Sequence, residues 1–231
     1  MAVVCFPGCG RPGPTTLTIS VAASLQAAMA DAVHSYTAAH VDVNYGGSGA
    51  LAEQIVSGAP VDVFLSAAPK PMDDLAARGL LLPGTRRDLL RNDIVLIGSV
   101  HSWQDLASPS VKRIALGDPA SVPAGDYGRQ VLQHLELWDS VREKLVLAKD
   151  VTQVVSYVAT GNADAGVVYA SDATAGNRIP APPDSHAPVV YPIAVIQSTH
   201  SPEAAKAFAA YLASPSAAAI FRSHGFTPII Q

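Results

Sequence analysis

Cysteine is almost missing from this chain of 231 residues: only Cys5 and Cys9 occur, and positions 15 to 231 contain none. That excludes a disulfide framework, a cysteine-built zinc site or a cysteine nucleophile within the folded body. Long apolar runs are missing as well, and none approaches the ~18 residues that a membrane-spanning helix requires. The 15 basic residues are scattered among 19 acidic ones and never gather into a stripe, so a nucleic-acid partner is not expected. Neither internal repeats nor low-complexity tracts occur. What is present is an ordinary globular composition, 49% apolar with a net charge of -4. The length suits one large domain or two smaller α/β lobes.

From residue 17 onward, short β-branched runs alternate with helical patterns, which predicts mostly parallel sheets flanked by helices. Strands are expected at Leu17 to Val21, Val41 to Tyr45, Val61 to Leu65, Ile94 to Ile97, Ile114 to Leu116, Leu145 to Leu147, Ala165 to Val168 and Val189 to Ile196. They are short and nearly all apolar, as strands covered on both faces should be. Leu25, Met29, Val33 and Tyr36 fall on one helical face, and Ser201-Pro202-Glu203 opens a helix reaching about Leu212. Arg86 to Asn92 reads as a polar patch between two βα series, and the proline-rich stretch from Ile179 to Pro192 as a surface loop. The expected division is lobe I from 15 to 91 plus 197 to 231, and lobe II from 92 to 196. The chain would cross between lobes near Asn92 and near Ile196.

Residues 1 to 14 stand apart. They read either as an unstructured N-terminus or as the tail of a lipoprotein signal peptide, with Cys9 lipidated and the Gly/Pro-rich residues after it as a tether. Phe6-Pro7 departs from the small and aliphatic residues usual before such a cysteine.

In open α/β folds, ligands bind beyond the carboxyl ends of strands, where helix N-termini present free N–H groups. Five such loops stand out. Two place a serine at a helix start, Ser24 and Ser48, the latter within Gly46-Gly47-Ser48-Gly49. Two more, Val122-Pro123-Ala124-Gly125 and Asp150-Val151-Thr152, precede helices, and the fifth ends a strand at Tyr169. Singly, each has an ordinary explanation: Ser24 and Ser48 as helix N-caps, Tyr169 as a core aromatic. Together they offer hydroxyl and backbone donors with no obligatory cation, which suits a small, fully deprotonated oxyanion.

The stretches Ala22-Ala23-Ser24-Leu25, Gly47 to Ile55, Gly58 to Ala67, Gly117-Asp118-Pro119, Val122 to Gly125 and Gly166 to Ala173 closely resemble the periplasmic molybdate-binding proteins of ABC transporters. The likeness runs from about Leu17 to Gly225-Phe226. It implies a type II periplasmic-binding-protein fold: two α/β lobes, each a mostly parallel sheet flanked by helices, with the ligand between them. It further implies molybdate or tungstate as ligand, a membrane permease as partner, no catalysed reaction, no cofactor and a periplasmic or extracytoplasmic location, possibly lipid-anchored. A monomer is expected. Carried over residue by residue, the ligand oxygens would be held by Ser24, Ser48, Ala124, Val151 and Tyr169, with no direct metal-cation ligands. Gly49 stands where the family often has a second serine, which keeps a backbone donor but removes a hydroxyl.

Two other classes compete. Gly46-Gly47-Ser48-Gly49-Ala50 nearly spells the nucleophile elbow of a serine hydrolase, but it lacks the final glycine, and no histidine sits in an obvious strand-end loop beside an acid. A receptor for a different ligand, such as sulfate, phosphate, ferric ion or a polyamine, is the other. The ferric and polyamine versions would need tyrosine clusters or carboxylates lining the cleft.

Overall fold

The computed structural model describes residues 15–173 and 176–229; Cys5, Cys9 and the tether lie outside them. The first series runs β1 (Thr16–Ala22), α1 (Gln26–His34), β2 (His40–Gly46), α2 (Ser48–Val56), β3 (Val63–Leu65), α3 (Pro69–Ala77) and β4 (Arg87–Asn92). A second follows as β5 (Ile94–Gly98), β6 (Ile114–Gly117), α4 (Pro123–His134), α5 (Trp138–Val141), β7 (Leu145–Ala148), α6 (Val151–Ala159), β8 (Ala165–Tyr169) and β9 (Arg178–Pro180). The chain then returns through β10 (Val189–Val195), α7 (Pro202–Leu212), α8 (Pro215–Ser223) and β11 (Thr227–Pro228).

Two sheets result, ordered β11-β4-β10-β3-β1-β2 and β7-β6-β8-β5-β9. They are mixed rather than mostly parallel. The βα units pair in parallel, β1 with β2 and β3, and β6 with β7 and β8. Strands next to the crossings pair antiparallel: β10 with β3 and β4, and β5 with β8 and β9. β10 brings the chain back into the first sheet antiparallel to β4, by which it left, and β9 leaves the second sheet antiparallel to β5, by which it entered.

The first crossing falls at Asp93, between β4 and β5, beside the expected Asn92. The second lies between β9 and β10 rather than near Ile196, because Val189–Val195 is already part of the six-stranded sheet. Lobe II as built therefore ends before Val189. Arg86 to Asn92, expected as a polar patch, is largely strand β4. Its Leu89 and Leu90 are buried while Asp88 and Arg91 face solvent, and β10 supplies its ladder partners. Part of the expected loop from Ile179 to Pro192 likewise belongs to β9 and β10.

The central strands are buried along their length. Leu17, Ile19 and Val21 of β1, Ile114 to Leu116 of β6 and Val167 to Tyr169 of β8 are all within the core. The C-terminal helices return to cover the first sheet: the Tyr211 hydroxyl donates to the Ala32 carbonyl at 2.9 Å, and His224 meets Asp31 at 2.8 Å. Among the described residues no single helix is long and apolar enough to cross a membrane.

Candidate functional site

The carboxyl ends of β1, β2 and β3 face those of β6, β7 and β8 across the gap between sheets. Ser24, Ser48, Ala124, Val151 and Tyr169 all line one small cavity there, of about 10 Å³, which is roughly the room one water-sized sphere needs. Every one of the five is buried, Ser48 to 1% exposure and Ala124 to 0%. The gap is shut by direct bonds between the lobes. Gly49 N–H donates to the Ser121 carbonyl at 3.0 Å, and the Tyr169 hydroxyl donates to the Ala67 carbonyl at 3.3 Å.

Neither serine is a helix cap. Ser24 lies inside a single helical turn, Ala23–Leu25, ahead of α1. Ser48 is the first residue of α2, whose N-cap is Gly47 and which has no side-chain cap bond. Each hydroxyl oxygen instead meets another protein group. Ala67 N–H donates to Ser48 Oγ at 2.9 Å. Ser24 Oγ lies 3.2 Å from the Tyr191 hydroxyl, whose oxygen accepts from the Asn92 amide at 3.2 Å. An amide NH₂ can only donate, so the Tyr191 proton is free to turn toward Ser24. Both serines can then accept from the protein, leaving their own single proton for the cavity. Burial pushes the phenols of Tyr169 and Tyr191 well above their ordinary 10.0, so both stay protonated.

The second lobe contributes backbone. Ala124 is the second residue of α4, after Pro123, and Val151 is the first of α6, positions where a helix has no internal acceptor for its N–H groups. Among the described residues the N–H groups of Ser48, Ala124 and Val151 have no protein acceptor. The carboxylate of Asp150, which also lines the cavity, caps α6 by accepting Gln153 N–H at 2.9 Å. The described lining contains no lysine, arginine or histidine. Ser48 therefore has no histidine within the cavity to serve as the base of a triad, and the hydrolase elbow lacks its partner. Among the described residues no cluster of three or more histidine, cysteine, aspartate or glutamate side chains could hold a metal ion.

The sequence reading missed two supporting residues, Asn92 and Tyr191. Asn92 closes β4, and its amide also donates to Ser171 Oγ at 2.7 Å, so it ties the first crossing to the loop after β8. Nothing in the sequence marks Tyr191, one aromatic in an apolar strand, as the neighbour of a serine 167 positions away.

Known proteins resemble the chain over nearly its whole described length. YvgL of Bacillus subtilis (strain 168), named as an ABC transporter substrate-binding lipoprotein, is 43% identical over 226 residues, covering 92% of this chain and 86% of that protein. The molybdate-binding protein ModA of Escherichia coli (strain K12) is 38% identical over 230 residues, covering 91% of this chain and 88% of its own length. The solved periplasmic molybdate-binding protein of Azotobacter vinelandii superposes with a TM-score of 0.86 at 30% identity, covering 91% of this chain and 98% of that one. These relatives are solute-binding proteins rather than enzymes. Residues 17–227 match the family described as bacterial extracellular solute-binding proteins, and the chain belongs to that family.

Proposed function

We propose that this protein is the receptor of an ABC importer, that it captures molybdate and also tungstate between its lobes, and that it delivers the anion to a membrane permease without catalysing a reaction or using a cofactor. One observation carries the reading. Serine hydroxyls from one lobe and unpaired backbone N–H groups from the other converge on a single buried cavity that has no cationic side chain. Such a set is complementary to an anion with an acceptor at every corner and no proton of its own.

The ligand is larger than this cavity, so on this reading the lobes close on it to a gap slightly wider than the cavity shows. The long Tyr169 to Ala67 bond is the one that yields. The tyrosine proton then turns to a ligand oxygen. Asp93 and residues 181 to 188, the two crossings, act as the hinge, and only the closed form brings both donor sets together.

Selectivity follows from the same set. Phosphate near neutrality keeps a proton and needs an acceptor for it; facing an N–H, that proton makes a mismatch of about 1–3 kcal/mol. Sulfate has no such proton and is discriminated by size, because fixed donors reach a smaller tetrahedron at longer, weaker distances. Cys9 is read as a lipid anchor, supported by the lipoprotein name of the Bacillus relative; mass spectrometry of the native mature chain decides it, and an unmodified Cys9 rules it out. Calorimetric titration with molybdate and with tungstate tests the function. One-to-one saturation by both is expected, and no heat with either would overturn the assignment.

A further inference from the structure

The hydroxyl of Ser24 is reached from the first crossing by an unbroken run of hydrogen bonds. Asp93 N–H donates to Asn92 Oδ1 at 2.9 Å, the Asn92 amide nitrogen donates to the Tyr191 hydroxyl at 3.2 Å, and that hydroxyl lies 3.2 Å from Ser24 Oγ. All three side chains are buried, Tyr191 completely, so the run is shielded from bulk water. Asn92 ends β4, Tyr191 lies on the neighbouring β10, and Ser24 follows β1. All three belong to the first lobe, so their distances do not depend on the width of the cleft.

Every link in the run has a fixed direction. A backbone N–H can only donate, so the atom of Asn92 that faces Asp93 is the oxygen, and its NH₂ must face the other way. The two amide hydrogens go to Ser171 Oγ at 2.7 Å and to Tyr191. The Tyr191 oxygen is thus an acceptor toward Asn92. Among the described residues the one other group bonded to that hydroxyl is Ser24 Oγ, so the phenolic proton points there. Burial holds the phenol well above its ordinary 10.0, and the proton is not lost. Ser24 accepts it and has its own proton left for the cavity.

We propose that Asn92 is a positioning residue, which sets the direction of the chain through Tyr191 so that Ser24 meets the anion as a donor rather than with a lone pair. Asn92 itself does not line the cavity. The inference rests on the oxyanion reading above and names the group that gives one of the five lining residues its polarity. A lone serine hydroxyl rotates to suit either an acceptor or a donor. One held by this chain is committed to acceptors, and it opposes a ligand that brings a proton of its own.

The test is a cycle of substitutions in the full chain, read by calorimetric titration with molybdate. Asn92→Asp keeps the shape and can accept from Asp93 N–H, Ser171 and Tyr191, but it turns the Tyr191 proton back toward position 92. Ser24 must then give its proton to Tyr191 and show a lone pair to the anion. The new carboxylate also repels the anion, but equally with and without the Ser24 hydroxyl, so the comparison is made on Ser24→Ala. In wild type, Ser24→Ala should cost on the order of ten- to a hundredfold in affinity. In Asn92→Asp it should cost nothing or restore part of what was lost. The same loss in both backgrounds overturns the chain, as does Asn92→Asp that binds like wild type. If Asn92→Asp does not fold or binds too weakly to titrate, Asn92→Ala replaces it. A loss of about two- to fivefold is then expected, and none once Tyr191→Phe has already cut the chain; no loss at all, or equal losses in the two, overturns it. Wild type that ignores molybdate sinks the ligand assignment instead; the cycle is then read with whichever of tungstate or sulfate binds wild type, and binding of none overturns both.

Discussion

In the first lobe the groups at the cavity include side-chain hydroxyls: Ser48 takes a bond from Ala67 N–H, and Ser24 sits against the Tyr191 and Asn92 pair. In the second lobe Ala124 and Val151 contribute only backbone N–H groups from the first turns of α4 and α6, and Tyr169 adds the one hydroxyl. The difference has a consequence for evolution and for experiment alike. First-lobe donors disappear when a side chain is truncated, whereas second-lobe donors survive almost any substitution that preserves the helix start.

Val151→Pro breaks that asymmetry most strongly. Proline lacks the N–H yet is tolerated at the first position of a helix, and Asp150 before it is already extended, at φ -159° and ψ 170°, as a residue preceding proline should be. The variant should fold and lose more than about a hundredfold in molybdate affinity, a bond to a charged group plus the intrusion of the ring. Val151→Ala, which keeps the N–H, should titrate almost like wild type. Equal losses for the two would show that the Val151 side chain, not its backbone, matters.

Ser48→Ala comes next, at roughly ten- to a hundredfold in affinity. It also leaves the buried Ala67 N–H without its acceptor, which costs about 1–3 kcal/mol of stability by denaturant melt. Tyr191→Phe should act more weakly, at about three- to tenfold, since Ser24 keeps its hydroxyl and loses only the group that orients it. A Tyr191→Phe loss as large as that of Ser24→Ala would place Tyr191 itself on the ligand.

The smallest expected effect on binding, and a clear one on stability, comes from Asp172, at the junction of the lobes. Its Oδ2 is buried with no hydrogen-bond partner among the described residues, and burial pushes its carboxyl from the ordinary 3.8 up to about 8. Between those values the folded chain holds a proton that the unfolded chain has released. Stability is therefore full below about pH 4 and declines as pH climbs toward 8. Asp172→Asn should flatten that decline in melts across pH, and an unchanged slope would locate the titration elsewhere.

Much of the fold was legible because buried strands announce themselves. Leu17 to Val21, Val41 to Tyr45 and Ile114 to Leu116 are apolar runs bounded by turn residues, and each falls within an observed strand. What the runs do not carry is the identity of the sheet. Val189–Val195 looks the same whether it closes the second lobe or returns to the first, and only its pairing with β3 and β4 decides. β4 was obscured by Asp88 and Arg91 on its solvent side, and the start of α4 by Gly125 and Gly128, weak helix formers that sit packed against β6 and β8. At the site, Ser24, Ser48 and Tyr169 could be found as side chains in strand-end loops. Ala124 and Val151 carry no chemical mark, since the group that matters is common to every residue but proline. They entered through family resemblance and through their place at helix starts. Asn92 and Tyr191 could not be read at all, because their contacts span 79 to 167 positions.

The central claim is that converging hydroxyl and backbone N–H donors, with the one lining carboxylate, Asp150, engaged in the α6 cap, select a large dianionic tetrahedron. Competition calorimetry tests it most directly, with molybdate-loaded protein titrated by sulfate and by phosphate at neutral pH. The account predicts that sulfate displaces molybdate only in large excess and that phosphate hardly displaces it at all. Displacement by sulfate near stoichiometric ratios would contradict it, and would make the protein a general receptor for sulfate-like anions.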